Sequence, residues 1–152
     1  MDRAISTSDV TMTMILEQIR LGALDNFSYV LADDENGLAA VIDPTGDGRK
    51  ILDFVREKGL KVRYVINTHS HHDHLSGNSL IVSETGAKVV MHARASLSKD
   101  ISVQDNDVIS LGKLRIKVIY TPGHTHDSIC LLVDGALFTG DTLFVGECGR
   151  TD

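Results

Sequence analysis

Residues 68–74 read Thr-His-Ser-His-His-Asp-His and hold four of the chain's seven histidines within six positions. Crowding imidazoles in this way is costly unless a cation gathers them as neutral ligands, and ordinary packing gives no reason for the cluster. The preceding residues, 62–67, have the β-branched and apolar composition of a buried strand. The cluster therefore lies where a strand gives way to a loop, a usual place for chemistry in α/β proteins. Its His-x-His-x-Asp-His spacing predicts a metal-binding loop.

Two distant segments carry the same kind of side chain directly after a strand. Residues 120–125 place His124 in a tight turn, and residues 138–142 place Asp141 in another. Strand ends that are far apart in sequence can meet at the edges of packed sheets, so these side chains can join the first cluster. Nitrogen and oxygen donors without cysteine suit Zn²⁺, Fe or Mn²⁺, and an open coordination position is typical of catalytic sites. The candidate metal ligands are His69, His71, Asp73, His74, His124 and Asp141.

The remaining histidines and the cysteines are interpreted without a metal. His72 falls outside the spacing of the cluster, so we expect it at the surface or behind the ligands. His92 is expected to be a solvated loop histidine. Cys130 lies in an apolar run and is expected in the core. Cys148, between short glycine-containing segments, is expected to be a loop thiol, with contact to a substrate as the alternative.

Composition limits the class of protein. A chain of 152 residues is long enough for one domain with a substantial core and too short for two. The net charge of −6 and the scattered Lys and Arg residues provide no basic stripe, so we expect no nucleic-acid partner. No apolar stretch approaches the roughly 20 residues needed to span a bilayer, and the start has no secretory signal. Two cysteines make no disulfide framework, so we expect a cytoplasmic protein without a membrane partner.

The hydrophobic pattern predicts a strand-rich α/β fold with helices on the outside of sheets. Helices are predicted over 48–58 and 78–85, ended by Gly59 and Gly86. The first ten residues are polar and are expected to be flexible. Strands are predicted around 12–16 and over 27–32, 38–42, 62–67, 88–91, 108–111, 114–120, 129–133 and 136–139.

Taken together, the motifs resemble those of the metallo-β-lactamase superfamily, and within it the branch of glyoxalase II (hydroxyacylglutathione hydrolase) and persulfide dioxygenase. The segments that carry the resemblance are 68–74, 122–125 and 140–144, supported by 26–29, 42–44 and 148–152. The resemblance implies a four-layer αββα sandwich with a metal site at one edge of the two sheets. It implies a first metal on His69, His71 and His124, a second on Asp73 and His74, and Asp141 bridging both.

The resemblance also shows two departures. The family supplies one more histidine to the second metal from a C-terminal segment, and this chain stops at Asp152 before such a residue. We therefore expect residues 1–152 to form a single domain that lacks the C-terminal portion of the family domain. Asp127 stands where relatives often carry glycine, which leaves the local backbone there open.

Three functions are considered from this resemblance. The first is a hydrolase of a thioester such as a hydroxyacyl-glutathione. In it one or two Zn²⁺ ions, or alternatively Fe²⁺ or Mn²⁺, hold the attacking hydroxide. Asp73 would serve as the catalytic residue that orients this nucleophile, and Asp43 would hold a ligand histidine from behind.

The second function is a mononuclear iron persulfide dioxygenase, with Fe²⁺ on His69, His124 and Asp141. The third is a catalytically incomplete fragment that serves as a metal-binding or interaction module, with its unfinished sheet edge covered by a second chain, for example in a homo-oligomer. For the two enzymes the partner is a small-molecule thiol ester or persulfide. The hydrolase is the preferred hypothesis.

Overall fold

The computed structural model describes residues 14–21 and 26–151, which form two packed β-sheets, a short hairpin and two helices. A six-stranded sheet has the order β1-β2-β3-β4-β5-β6, and a four-stranded sheet has the order β10-β9-β8-β7. The strands of the first sheet are Met14–Leu21, Asn26–Asp33, Leu38–Ile42, Lys61–Ile66, Lys88–His92 and Ile101–Val103. Those of the second, from β7 to β10, are Val108–Leu111, Leu114–Tyr120, Ile129–Val133 and Ala136–Phe138. A third pair, β11 (Leu143–Phe144) and β12 (Glu147–Cys148), makes the hairpin.

The first sheet is antiparallel from β1 to β3 and parallel from β3 to β6. Helices join two of its three parallel pairs: α1 (Arg49–Glu57) links β3 to β4, and α2 (Asn78–Thr85) links β4 to β5, whereas a loop over residues 93–100 links β5 to β6. Because β3 and β4 run in the same direction, both end at the same edge of the sheet. Asp43, after β3, and the histidine loop, after β4, therefore lie at that edge.

Two apolar layers hold this arrangement together. Inward-facing residues of both sheets, such as Leu31, Ile66 and Ile116, form one fully buried cluster. The residues of the first sheet that face the other way pack against Ile51 and Val55 of α1. Each such side chain contributes about 1.5–3 kcal/mol on burial. Among the described residues both helices cover the outer face of the first sheet, and none covers the outer face of the second.

The expected α/β architecture with helices outside the sheets is confirmed, and several bounds agree closely. Helix α2 spans the predicted residues and ends at Gly86, whose φ of 69° provides the left-handed cap. Strand β6, the hairpin β11–β12 and a 3₁₀ turn at His72–His74 were not predicted. Two predictions, that residues 1–10 are flexible and that the first strand includes Met12, concern residues outside the described ranges. No helix among the described residues is both long and apolar enough to cross a membrane.

Candidate metal centre

The histidine cluster is positioned by the end of β4, in the middle of the first sheet. His69 follows this strand closely and is 1% exposed. The 3₁₀ turn that begins after His71 returns the backbone on itself, with His74 N donating to His71 O at 3.0 Å. The turn brings the buried His74 back beside His69, with their ring centroids 4.3 Å apart. His72 is exposed, as expected.

The two distant segments converge on this cluster. His124 lies in the turn between β8 and β9, and Asp141 lies in the turn that follows β10. One ligand atom from each of His69, His71, His124 and Asp141 falls within a group no wider than 4.8 Å. Asp141 Oδ2 lies 3.5 Å from His124 Nε2 and 4.0 Å from His69 Nε2. Its other oxygen, Oδ1, lies 3.2 Å from His74 Nε2.

Asp43 orients two of these imidazoles from behind. This residue follows β3 with a φ of 47°, a left-handed conformation that is uncommon outside glycine and is often found near functional sites. Its carboxylate accepts hydrogen bonds from Thr68 N at 2.8 Å, Thr68 Oγ1 at 2.6 Å and His74 Nδ1 at 3.1 Å. Because Thr68 Oγ1 donates to Asp43, it accepts from His69 Nδ1 at 3.0 Å. The expectation that Asp43 holds a histidine is therefore confirmed for His74.

These hydrogen bonds fix which nitrogen of each ring faces the centre. In both His69 and His74 the Nδ1 atom carries the proton outward, so the lone pair of Nε2 points inward in the neutral ring. Both Nε2 atoms are buried and have no hydrogen-bond partner among the described residues. The buried Nε2 lone pair of His69 needs another electrophile, and a metal cation meets that need; at His74 Nε2, which lies 3.2 Å from Asp141 Oδ1, either a proton or a metal cation meets it. The donor set therefore fits a divalent metal ion.

The electrostatics of the centre also favour a cation. Burial alone would lower the pKa of His74, but its contacts with the carboxylates of Asp141 and Asp43 raise that pKa to about 10. Burial raises the pKa of Asp141, yet the neighbouring His74 and the other imidazoles bring it below its ordinary value. Burial lowers the pKa of His69 to about 4, which keeps this ring neutral as a ligand must be. The field that favours a proton on His74 would equally favour a metal ion nearby.

Asp73 lies at the margin of the centre. Its Oδ2 accepts a hydrogen bond from Asn26 Nδ2 at 2.8 Å and lies 3.7 Å from His74 Nε2. Burial raises the pKa of Asp73, but the Asn26 hydrogen bond and the charge of His74 lower it below its ordinary value. The side chain is 39% exposed, so the carboxylate faces solvent as well as the centre. Sequence reasoning did not assign a role to Asn26, because its contact with Asp73 spans 47 positions.

Two cavities flank the centre and meet at Asp141 and Phe144. One, of about 570 Å³, reaches His74 and has an apolar wall that includes Phe27 and Val145. The other, of about 810 Å³, also borders Asp141 and has a different set of lining residues. Its lining includes His71, His124, Glu147, Cys148 and Arg150. The centre is thus accessible to a small molecule from two sides.

The structure corrects one interpretation and refines others. His92 is not a solvated loop histidine: it ends β5, is 5% exposed and stacks on Tyr120 with ring centroids 4.2 Å apart. Cys130 is buried, as expected, and Cys148 is exposed in β12 beside the larger cavity. Asp127 does not have a positive φ, so aspartate is compatible with the backbone there. Its carboxylate is buried, and both oxygens have no hydrogen-bond partner among the described residues.

Two relatives of known name align with most of this chain. The hydroxyacylglutathione hydrolase of a Polaromonas species is 43% identical over 145 residues, which cover 90% of this chain and 55% of that protein. A probable hydroxyacylglutathione hydrolase of Schizosaccharomyces pombe is 32% identical, over 85% of this chain and 53% of that protein. The chain thus spans about half the length of these curated relatives.

Solved structures and a family model point the same way. The crystal structure of ETHE1 from Myxococcus xanthus superposes with a TM-score of 0.86 and 34% identity, covering 91% of this chain and 62% of that one. The family model described as "Metallo-beta-lactamase superfamily" matches residues 21–99 and 96–152. Since these matches cover nearly all of the described residues, including every strand end that contributes to the centre, the chain belongs to the metallo-β-lactamase superfamily.

Proposed function

We propose that the chain is a metal-dependent hydrolase that acts on a thioester such as a hydroxyacyl-glutathione. The observation that carries this proposal is the convergence of three imidazoles and the Asp141 carboxylate from separate segments into a group 4.8 Å wide. The activity named for the Polaromonas and S. pombe relatives supports the choice of a thioester. The two cavities beside Asp141 offer room for the two halves of such a substrate.

The first metal ion would be held by His69, His71, His124 and Asp141. A second would be held by His74 and Asp73, and would share Asp141 with the first. Nitrogen and oxygen donors of this kind suit Zn²⁺, as one or two ions per chain, and also Fe²⁺ or Mn²⁺. When bound, such a cation supplies the Lewis acidity that activates water and polarises a carbonyl oxygen.

The chain's own residues prepare this chemistry. Asp43 and Thr68 keep the imidazoles of His74 and His69 turned so that Nε2 faces the centre. The low pKa of Asp73 keeps it ionised near neutral pH, so its carboxylate can accept a hydrogen bond from the attacking water and orient it. Hydrolysis forms a C–O bond and breaks the C–S bond. The thiolate is a good leaving group that needs little protonation.

A mononuclear iron dioxygenase acting on a persulfide is the second candidate. Asp141 Oδ2 lies within 4.0 Å of both His69 Nε2 and His124 Nε2. These three residues alone form a two-histidine, one-carboxylate set that suits Fe²⁺ with open positions. This reading needs neither Asp73 nor His74 as a ligand. It predicts one iron per chain and oxygen uptake, whereas the hydrolase predicts thioester cleavage without oxygen.

Further features of the proposal concern the chain as a whole. We assign residues 1–152 to one domain, because the two sheets share one buried cluster. We place the activity in a reducing cytoplasm, since both cysteines are free. The substrate is proposed to be a small molecule rather than a nucleic acid, in keeping with the net charge of −6.

Metal content and turnover of the purified chain test the proposal. We expect a divalent metal to co-purify or bind on titration, and a hydroxyacyl-glutathione thioester to be cleaved. His69→Ala and Asp141→Ala should each abolish turnover while leaving the fold intact. His126→Ala, which removes an exposed imidazole from the same turn as His124, is the matched control and should retain turnover.

The outcomes separate the alternatives. Oxygen uptake with one iron per chain would replace the hydrolase by the dioxygenase. Metal binding without either reaction would favour a catalytically incomplete fragment. Near-normal rates in the His69 or Asp141 variant would refute their role as ligands.

A further inference from the structure

The segment that follows β12 touches His124 from the side opposite to the centre. His124 Nδ1 lies 2.8 Å from the backbone oxygen of Arg150. A carbonyl oxygen can only accept a hydrogen bond, so Nδ1 must carry the proton. The lone pair of a neutral His124 is then on Nε2, which faces Asp141 Oδ2 at 3.5 Å and His71 Nδ1 at 3.0 Å. A backbone carbonyl therefore sets the orientation and the tautomer of this imidazole.

Gly149, the residue just before that carbonyl, is in close contact with two candidate ligands. A Cβ atom built on it would overlap the backbone oxygen of Asp141 and would lie 3.4 Å from His124 Cγ. Its φ is outside the left-handed region, so glycine is required here for space and not for its backbone conformation. Gly149 N also donates to Thr142 O at 3.3 Å. The hairpin β11–β12 thus brings Gly149 back beside Asp141 and Thr142, the two residues that precede the hairpin in the chain.

We propose that Gly149 and the Arg150 carbonyl form a clamp that positions His124 and Asp141 for metal binding. Gly149 is a positioning residue: its missing side chain lets the carbonyl reach His124 without displacing Asp141. The inference rests on the metal-binding role proposed above. Partners that hold the far nitrogen of a metal-ligating histidine typically change metal affinity by about 10–100-fold when lost. We expect a loss of that size when the clamp is opened.

The tautomer can be tested on the unaltered chain without metal. At pH 9, ¹⁵N–¹H correlation spectra of the stripped protein should show the neutral His124 ring protonated at Nδ1. The His124→Gln variant identifies its resonance. A ring protonated at Nε2 instead would overturn the proposal, whatever the enzymatic activity of the chain.

Gly149→Ala opens the clamp, and Gly135→Ala is its matched control. Gly135 lies in the β9–β10 turn with a φ of 80°, and no atom of the described residues lies within 4 Å of a Cβ built there, so alanine strains the fold but not the centre. Isothermal titration with Zn²⁺ should show about a 10–100-fold weaker affinity for Gly149→Ala and an unchanged affinity for Gly135→Ala. Wild-type affinity in a folded Gly149→Ala variant would refute the clamp. Absence of metal binding in the wild type would refute the proposed function instead, and the tautomer measurement would still decide on the clamp.

Discussion

Replacing Asp43 by asparagine should weaken both the fold and the metal centre. The carboxylate accepts three hydrogen bonds, from Thr68 N, Thr68 Oγ1 and His74 Nδ1. An amide has one oxygen in place of two, so at least one buried donor loses its acceptor. Asparagine also tolerates the left-handed φ of 47° at this position, so the substitution changes the side-chain chemistry and leaves the backbone unstrained.

The size of the effect follows from these contacts. One buried donor left without an acceptor costs about 1–3 kcal/mol. The remaining hydrogen bonds change from charged to neutral, which weakens each by about 1 kcal/mol. Allowing for relaxation, we expect the free energy of unfolding to fall by about 3 kcal/mol for Asp43→Asn. Because His74 loses its fixed tautomer, metal affinity should also fall, by about 10–100-fold.

Urea unfolding in the presence of a chelator measures the change in the free energy of unfolding. Metal titration of the folded protein measures the change in metal affinity separately. Asp53→Asn, on an exposed position of α1, is the matched control and should change the free energy of unfolding by less than about 0.5 kcal/mol. If Asp43→Asn stays within 1 kcal/mol of the wild type and binds metal equally well, the role assigned to Asp43 is wrong.

Three further predictions concern the surroundings of the centre. Gly140 has a φ of 49°, and a Cβ atom at this position would overlap Thr68 Oγ1. Gly140→Ala should therefore lower the free energy of unfolding in urea by over about 2 kcal/mol, more than Gly135→Ala does. Equal losses in the two variants would contradict this prediction. Hydrogen bonds from the backbone N–H of Lys113 and from the Asn36 side chain hold the pKa of Asp33 below its ordinary value. The ionised carboxylate therefore stabilises the fold above pH 4, and this stabilisation is lost as the pH falls through the lowered pKa. Asp33→Asn should therefore be less stable than the wild type at pH 7, with the difference shrinking towards pH 2 in unfolding titrations; a constant difference would count against it. Asp127→Asn removes a buried carboxylate that makes no hydrogen bond within the described part of the chain and should raise stability by about 1–3 kcal/mol in thermal melts; a lower melting temperature would refute this prediction.

Sequence reasoning located the centre because its signals are local and chemical. The strand before His69, the turns at His124 and Asp141 and the helix ended by Gly86 can each be recognised from a few neighbouring residues. Short elements gave no such signal, since β11 and β12 have two residues each and no periodicity can be detected over that length. His92 was misread because its stacking partner, Tyr120, lies 28 positions away in the sequence.

The precision of the centre depends on a residue that is not a candidate ligand. Thr68 donates twice to Asp43, accepts from His69 and accepts Ile129 N through its backbone oxygen at 2.8 Å. That last bond ties the histidine loop of the first sheet to β9 of the second. The Cβ of Thr68 would lie 2.8 Å from a Cβ built on Gly140, so this threonine also touches the turn that carries Asp141. The backbone and side chain of this one residue therefore connect the ligand-bearing loops of both sheets, which explains how three separated segments can meet within a space that suits a metal ion.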